Sequence, residues 1–122
     1  MSLLPLRNEV HTTPAESRII DENDAGVDAA YNALTASTTR QILSIIYNHP
    51  STPCDIQAET ETSLQNVHYH LSKLENVGFI QPAGTGYSEK GTEMTLYAPT
   101  HESIVLFIGQ DPAHQQLREF LQ

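Results

Sequence analysis

Between Thr62 and Lys73 the chain gathers side chains suited to recognition: Gln65, Asn66, His68, Tyr69, Ser72 and Lys73. They are short or amide-bearing donors and acceptors, with one full positive charge among them. An Asn or Gln amide sets an acceptor beside a donor, the pattern that pairs with N6 and N7 of adenine, while hydroxyls and lysine reach phosphate oxygens. The bland alternative is a solvated helix face, but such faces are usually rich in Glu and Lys pairs, and this one is not. Reaction chemistry has no comparable foothold. The sequence holds no Gly-rich phosphate loop, no nucleophile with an evident base and no carboxylate pair set in a pocket. The six histidines are scattered, and none forms an i, i+4 pair beside a carboxylate as zinc sites do. Neither an enzyme nor a metal or other cofactor is expected.

The elements that must present these groups are legible. Leu64, Val67, Leu71 and Leu74 recur every three or four residues, which predicts a helix over 63–77 with one stripe on a core. Thr62 is placed to cap it, with Gln65 three residues on completing a capping box. Gly78 follows as the residue able to take positive φ, with Phe79 packing back over the helix end. His68 and His70 stand two apart and so point to different sides; His70 reads equally as a contact or as a half-buried, satisfied histidine. The preceding helix is short, with Thr52 as cap, Pro53 at its first position, Asp55 beside them, and Ile56 and Thr60 inward. A short helix, a turn and a longer amide-faced helix form the helix-turn-helix pattern, whose second helix lies in a major groove.

The rest of the chain supports that pair. Residues 1–24 mix Pro, Thr, Glu, Asp and Asn without period and read as a flexible N-terminal arm. From Gly26, residues Val27, Ala30, Tyr31 and Leu34 fit one helix. Ser37 looks like the cap of the next, a largely apolar helix through Asn48 that Pro50 ends. Arg40 near its start would clamp a phosphate or pair with a nearby acid. After Gly78 come Phe79–Pro82 and, past Gly84, Thr85–Ser88; Ser88-Glu89-Lys90-Gly91 is a hairpin turn, and Thr92–Ala98 alternates apolar with polar residues. A hairpin directly after a recognition helix is a wing, here over 85–95, with Lys90 at its tip and Thr85 on its flank. The run Ile104–Ile108 fits strand or helix equally. Asp111 and Pro112 then open a short helix carrying Leu117, Phe120 and Leu121, apolar surface that a dimer contact over 100–122 would bury.

The chain has 122 residues, enough for one domain, and no apolar run approaches the roughly 20 residues that span a bilayer. The N-terminus lacks the apolar core of a secretory signal, which places the protein in the cytoplasm. Cys54 is the only cysteine, so no disulfide forms within one chain. It lies in the first turn of a helix, where the dipole favours a negative group, and a redox use follows as an alternative to a small packing side chain. Net charge is −9, awkward for a protein that meets phosphates, but nine acids against three bases fall in residues 1–62. Residues 63–98 carry three acids and two bases and are nearly neutral, and His68 and His70 could add charge in acid. The acid excess and the scarcity of lysine resemble proteins of salt-loving archaea. At molar salt the Debye length is about 3 Å, so acidic surfaces would repel DNA only weakly.

With the elements placed, LTASTTRQILSIIYNHP, CDIQAETETSLQNVHYHLSKLENVGFI and the Gly-bounded hairpin resemble the ArsR-type winged helix-turn-helix regulators, most closely archaeal members, over roughly residues 28–99. The sharpest part is Val67–Leu74 leading to Gly78-Phe79-Ile80. The resemblance implies a mainly α fold with a small β-hairpin, and a dimeric, DNA-binding transcription regulator, commonly a repressor, that answers to an effector. Metal-sensing members carry a Cys-x-Cys pair where this chain has Pro53-Cys54-Asp55-Ile56. His101, Asp111, His114 and Glu119 do not reproduce the spacing of the zinc set that other members carry on the last helix. The expected contacts with double-stranded DNA divide into Gln65, Asn66, His68 and Tyr69 for sequence and Ser63, Ser72, Lys73, Thr85 and Lys90 for position. Two other readings stand beside this one. The first is a protein-interaction winged helix without DNA affinity; the second is a ligand or redox sensor acting through Cys54.

Overall fold

A computed structural model of the chain describes residues 9–10, 12–109 and 111–121. Five helices and five strands follow one another as β1 (Glu9–Val10), β2 (Arg18–Asp21), α1 (Val27–Ala33), α2 (Ser37–Asn48), α3 (Pro53–Glu59), α4 (Leu64–Asn76), β3 (Ile80–Tyr87), β4 (Glu93–Pro99), β5 (Ile104–Phe107) and α5 (Asp111–Leu121). The core forms where the apolar stripes of α2, α3 and α4 converge. Ile42 and Ile46 of α2, Ile56 of α3, and Val67, Leu71 and Leu74 of α4 pack together with Phe79 and Ile80 at the start of the hairpin.

Local signals set the helix ends. Thr52 and Asp55 form a reciprocal capping box on α3: the Asp55 N–H donates to Thr52 Oγ1 at 3.2 Å, and the Thr52 N–H to Asp55 Oδ2 at 3.0 Å. Pro53 occupies the first turn, where its missing N–H costs no bond. At the other end of the motif Gly78 takes φ 79°, and the Phe79 N–H donates to Leu74 O at 3.0 Å while the Gly78 N–H donates to Glu75 O at 3.0 Å. These two bonds close the last turn of α4 and swing the chain directly into β3. Ser37 is the first residue of α2 and not its cap. Ala36 takes the capping position in extended conformation and makes no side-chain bond there.

The hairpin is longer than the sequence suggested, because β3 runs unbroken from Ile80 to Tyr87 through a bulge between Pro82 and Gly84. The bulge absorbs the irregularity that Gly84 introduces. The turn is held by the Gly91 N–H donating to Ser88 O and by Thr92 bonding back to Ser88. The terminal segments differ more from expectation. Within the stretch read as a flexible arm, Glu9–Val10 pair antiparallel with β3 opposite Thr85 and Gly84, and Arg18–Asp21 pair parallel with Ile104–Phe107. Ile20 is 1% exposed and joins the core cluster. The ambiguous run Ile104–Ile108 is therefore a strand over its first four residues, and its partner lies more than eighty residues away in sequence.

Candidate nucleic-acid interface

Helix α4 is divided lengthwise. Val67, His70, Leu71 and Leu74 are buried, while Gln65, Asn66, His68 and Ser72 are exposed and Tyr69 is 59% exposed. The helix start is shifted by one residue from the sequence reading. Ser63, not Thr62, is the N-cap, in extended conformation with its Oγ accepting the Asn66 N–H at 3.1 Å. Both residues are competent caps, but with Ser63 extended the third helical residue is Asn66, so Gln65 closes no capping box. Thr62 instead accepts from the Asn66 side-chain amide, Nδ2 to Oγ1, at 3.2 Å. Of the two amides, Asn66 is held by the turn and Gln65 is left to the outer face.

His70 is a core residue, not part of that face. It is 6% exposed, and its Nδ1 lies 2.7 Å from the hydroxyl of Thr39, which is itself fully buried on α2. Burial, with a smaller contribution from the Lys73 ammonium, holds the His70 pKa below the ordinary histidine range. It therefore supplies no charge to the exposed face near neutrality, and its bond to Thr39 ties α4 to α2 in one register. Lys73 is half-buried, its ammonium 5.4 Å from the centre of the Tyr69 ring. That contact holds cation and aromatic side by side at the middle of the helix. Tyr69 also meets His70 edge to face at 5.2 Å.

The wing brings Lys90 to its exposed turn, while Thr85 lies mid-strand between Glu9 of β1 and Thr95 of β4. Between the first turns of α3 and the wing turn is a cleft of about 410 Å³ whose walls include Cys54, Asp55, Tyr87 and Lys90. Cys54 is half-buried there. Arg40 is exposed and, among the described residues, meets no acid: its Nη1 donates to Leu34 O and to Thr35 O, the latter at 2.9 Å, closing the C-terminal end of α1. The carbonyls left open at a helix end need a donor, and the guanidinium supplies it.

Arg18 was missed by sequence reasoning. From β2 its Nη1 donates to Val77 O at 3.0 Å, and its guanidinium stands 5.5 Å from the Phe79 ring centre. It thus closes the C-terminal end of α4 from a segment far away in sequence. The one available signal was the apolar pair Ile19-Ile20 beside it, too short to mark a strand.

Among the described residues no group of three or more His, Cys, Asp or Glu could hold a metal, and no helix is long and apolar enough to cross a membrane. Nothing matches this chain among curated proteins. The crystal structure of an ArsR family transcriptional regulator superposes with a TM-score of 0.50 at 16% identity, covering 84% of this chain and 89% of that one. A second structure is the solution structure of a homodimeric winged helix-turn-helix DNA-binding domain from Mycobacterium bovis, described as a possible ArsR-family regulator. It aligns with a TM-score of 0.49 at 18% identity over 77% of this chain and 75% of that one. Residues 37–81, from the first residue of α2 to the start of the hairpin, match the family described as bacterial regulatory protein, arsR family. The fold is that of a winged helix-turn-helix, and the matched segment is the part that carries α4 and its exposed face.

Proposed function

We propose that the protein is a sequence-specific DNA-binding transcription regulator, acting as a homodimer and as a repressor, with α4 in the major groove. The observation that carries this reading is the division of α4. One face locks into the core through Val67, Leu71, Leu74 and the His70–Thr39 bond, and the other leaves Gln65, His68 and Tyr69 exposed on a rigid support. Gln65, Asn66, His68 and Tyr69 read bases; to do so, Asn66 releases Thr62. Ser63, Ser72, Lys73, Thr85 and Lys90 position the protein on the backbone, and the capped N-terminus of α4 adds a dipole favourable to a phosphate. Dimerisation through the C-terminal segment is supported by exposed apolar side chains, Phe120 at 84%, Ile108 at 73% and Leu106 at 49%. Beside them is a groove of about 550 Å³ walled by Leu34, Leu43, Tyr47, Ile104 and Leu106. The acid excess suits work in the cytoplasm of a salt-rich cell, where direct contacts outweigh counterion release.

The net charge of −9 favours one rival, a winged-helix interaction module without DNA affinity. Fluorescence anisotropy with genomic duplex fragments against random duplex, across a salt series reaching molar KCl, separates the two. Selective binding that persists at high salt is expected of the regulator. A folded dimer that selects no duplex at any salt belongs to the interaction module.

A further inference from the structure

The N-terminal segment crosses the junction of α2 and β4 and is tied down on both sides of it. Val10 pairs with Gly84 of β3. Further on, the Ala15 N–H donates to Thr100 O at 2.8 Å, and Ala15 O accepts the Glu102 N–H at 2.8 Å. Between these ties Val10, Thr12 and Pro14 wall a cleft of about 320 Å³, whose inner side is formed by the buried Ile46, Ala98 and Pro99. Most polar groups around it are already bonded. The Tyr47 hydroxyl donates to His101 O at 2.9 Å, His101 Nδ1 lies 3.0 Å from Glu16 O, and His49 Nδ1 lies 3.2 Å from Ser51 Oγ. Thr12 is the exception: its Oγ1 is buried and meets no hydrogen-bond partner among the described residues. A buried hydroxyl in that condition is costly and calls for a partner. No Lys or Arg lines the cleft and Glu102 borders it, so an anion is disfavoured there.

We propose that this cleft binds a neutral, flat molecule of one or two fused rings with one hydrogen-bonding group, which meets Thr12 Oγ1 and holds the N-terminal segment down. The size fits: about 150 Å³ suffices for one benzene ring, and small-molecule pockets begin near about 300 Å³. Pro14 and Pro99 are rigid apolar walls, against which a ring buries area at little conformational cost, and a single polar group then fixes its orientation. A threonine hydroxyl both donates and accepts, so either an N–H or a carbonyl on the ring satisfies it. The occupant touches the N-terminal segment, α2 and β4 at once, and so strengthens the ties at Val10 and Ala15. This site does not rest on the DNA reading above.

The test titrates the full chain with indole, indene and benzoate at matched ionic strength, following amide shifts and amide exchange. Indole and indene share a shape, but only indole has an N–H to donate; benzoate brings a charge. Expected are saturable indole shifts at Thr12, Ile46 and Ala98, binding roughly fivefold tighter than indene, and weaker binding of benzoate than of either. The Ala15 N–H should exchange several-fold more slowly with indole bound. Thr12→Val keeps the shape and removes the hydroxyl, so it should bring indole down to the affinity of indene and leave indene unmoved. A general loosening of the fold would weaken both alike. If Thr12→Val loses indene as well, Thr12→Ser decides: an indole preference kept by the serine hydroxyl supports the site, and one lost overturns it. Shifts that do not saturate, or that centre on the groove walled by Leu34 and Leu106, overturn it, as does an unaltered indole preference in Thr12→Val. Benzoate bound as tightly as indole overturns the ligand class. No binding of any probe means that the cleft holds water only, and the proposal falls.

Discussion

The segment from α2 to the wing and the two chain ends are built on different principles. In the first, each element carries its own start, stop and inward stripe: the Thr52–Asp55 box, Pro53, Ser63, and Gly78 at φ 79°. In the second, β2 and β5 are four residues each and hold together only by pairing across the chain, with the Ser17 and Ser103 hydroxyls 2.6 Å apart beside them. Yet the ends are not an appendage. Ile20 shares the core with Leu71 and Phe79, and Arg18 reaches the end of α4. Helix α4 is thus specified locally and held in place from a distance.

The largest effects test that shared core. Phe79→Ala, at a fully buried site where helix passes into wing, should cost about 3–5 kcal/mol and leave the domain at best marginally folded. Ile20→Ala should cost about 2–4 kcal/mol by urea unfolding with a single transition. A loss under about 0.5 kcal/mol there, within the usual range for surface sites, would show the terminal strands to be dispensable. Thr52→Ala removes one side of the capping box and should cost about 1 kcal/mol, showing how much of α3 is secured locally.

A smaller effect carries a sign. Because burial and Lys73 lower the His70 pKa, the unfolded chain takes up a proton before the native state does. The contribution of neutral His70 is fully present above the ordinary histidine pKa and is lost as pH falls from about 6.5 through the lowered native value. Urea midpoints should therefore drop on mild acidification in wild type, and less so in His70→Asn. Equal profiles would mean that burial and Lys73 do not hold His70 neutral in the native state.

The same division explains what could be read from sequence. The stripe of α4, the Pro53 start and the Gly78 stop were legible because each is fixed within one turn of the chain. The side of His70 was not, since a histidine beside a leucine fits core or surface until the fully buried Thr39 hydroxyl supplies its partner. Thr62 and Ser63 are both good caps, and which one turns inward depends on how the loop from α3 delivers them; that single step moved Asn66 onto Thr62 and freed Gln65. The strand at Ile104–Phe107 and the role of Arg18 lay beyond reach because both depend on pairing more than eighty residues apart in sequence. Lys90 was placed correctly at the turn because the hairpin is local, but Thr85 lies mid-sheet beside a third strand that composition did not suggest.

The central claim is that the exposed face of α4 selects DNA sequence, and Gln65 is the residue best placed to test it. The measurement is the affinity ratio between a selected genomic duplex and random duplex for wild type and for Gln65→Ala/Asn66→Ala, at one salt concentration, with unfolding midpoints recorded in parallel. The double variant is expected to keep its random-duplex affinity, to lose at most about 1 kcal/mol of stability and to lose the discrimination, since each amide pair with a base is worth about 1–3 kcal/mol. A folded variant that discriminates as well as wild type would contradict the account and place the reading surface elsewhere.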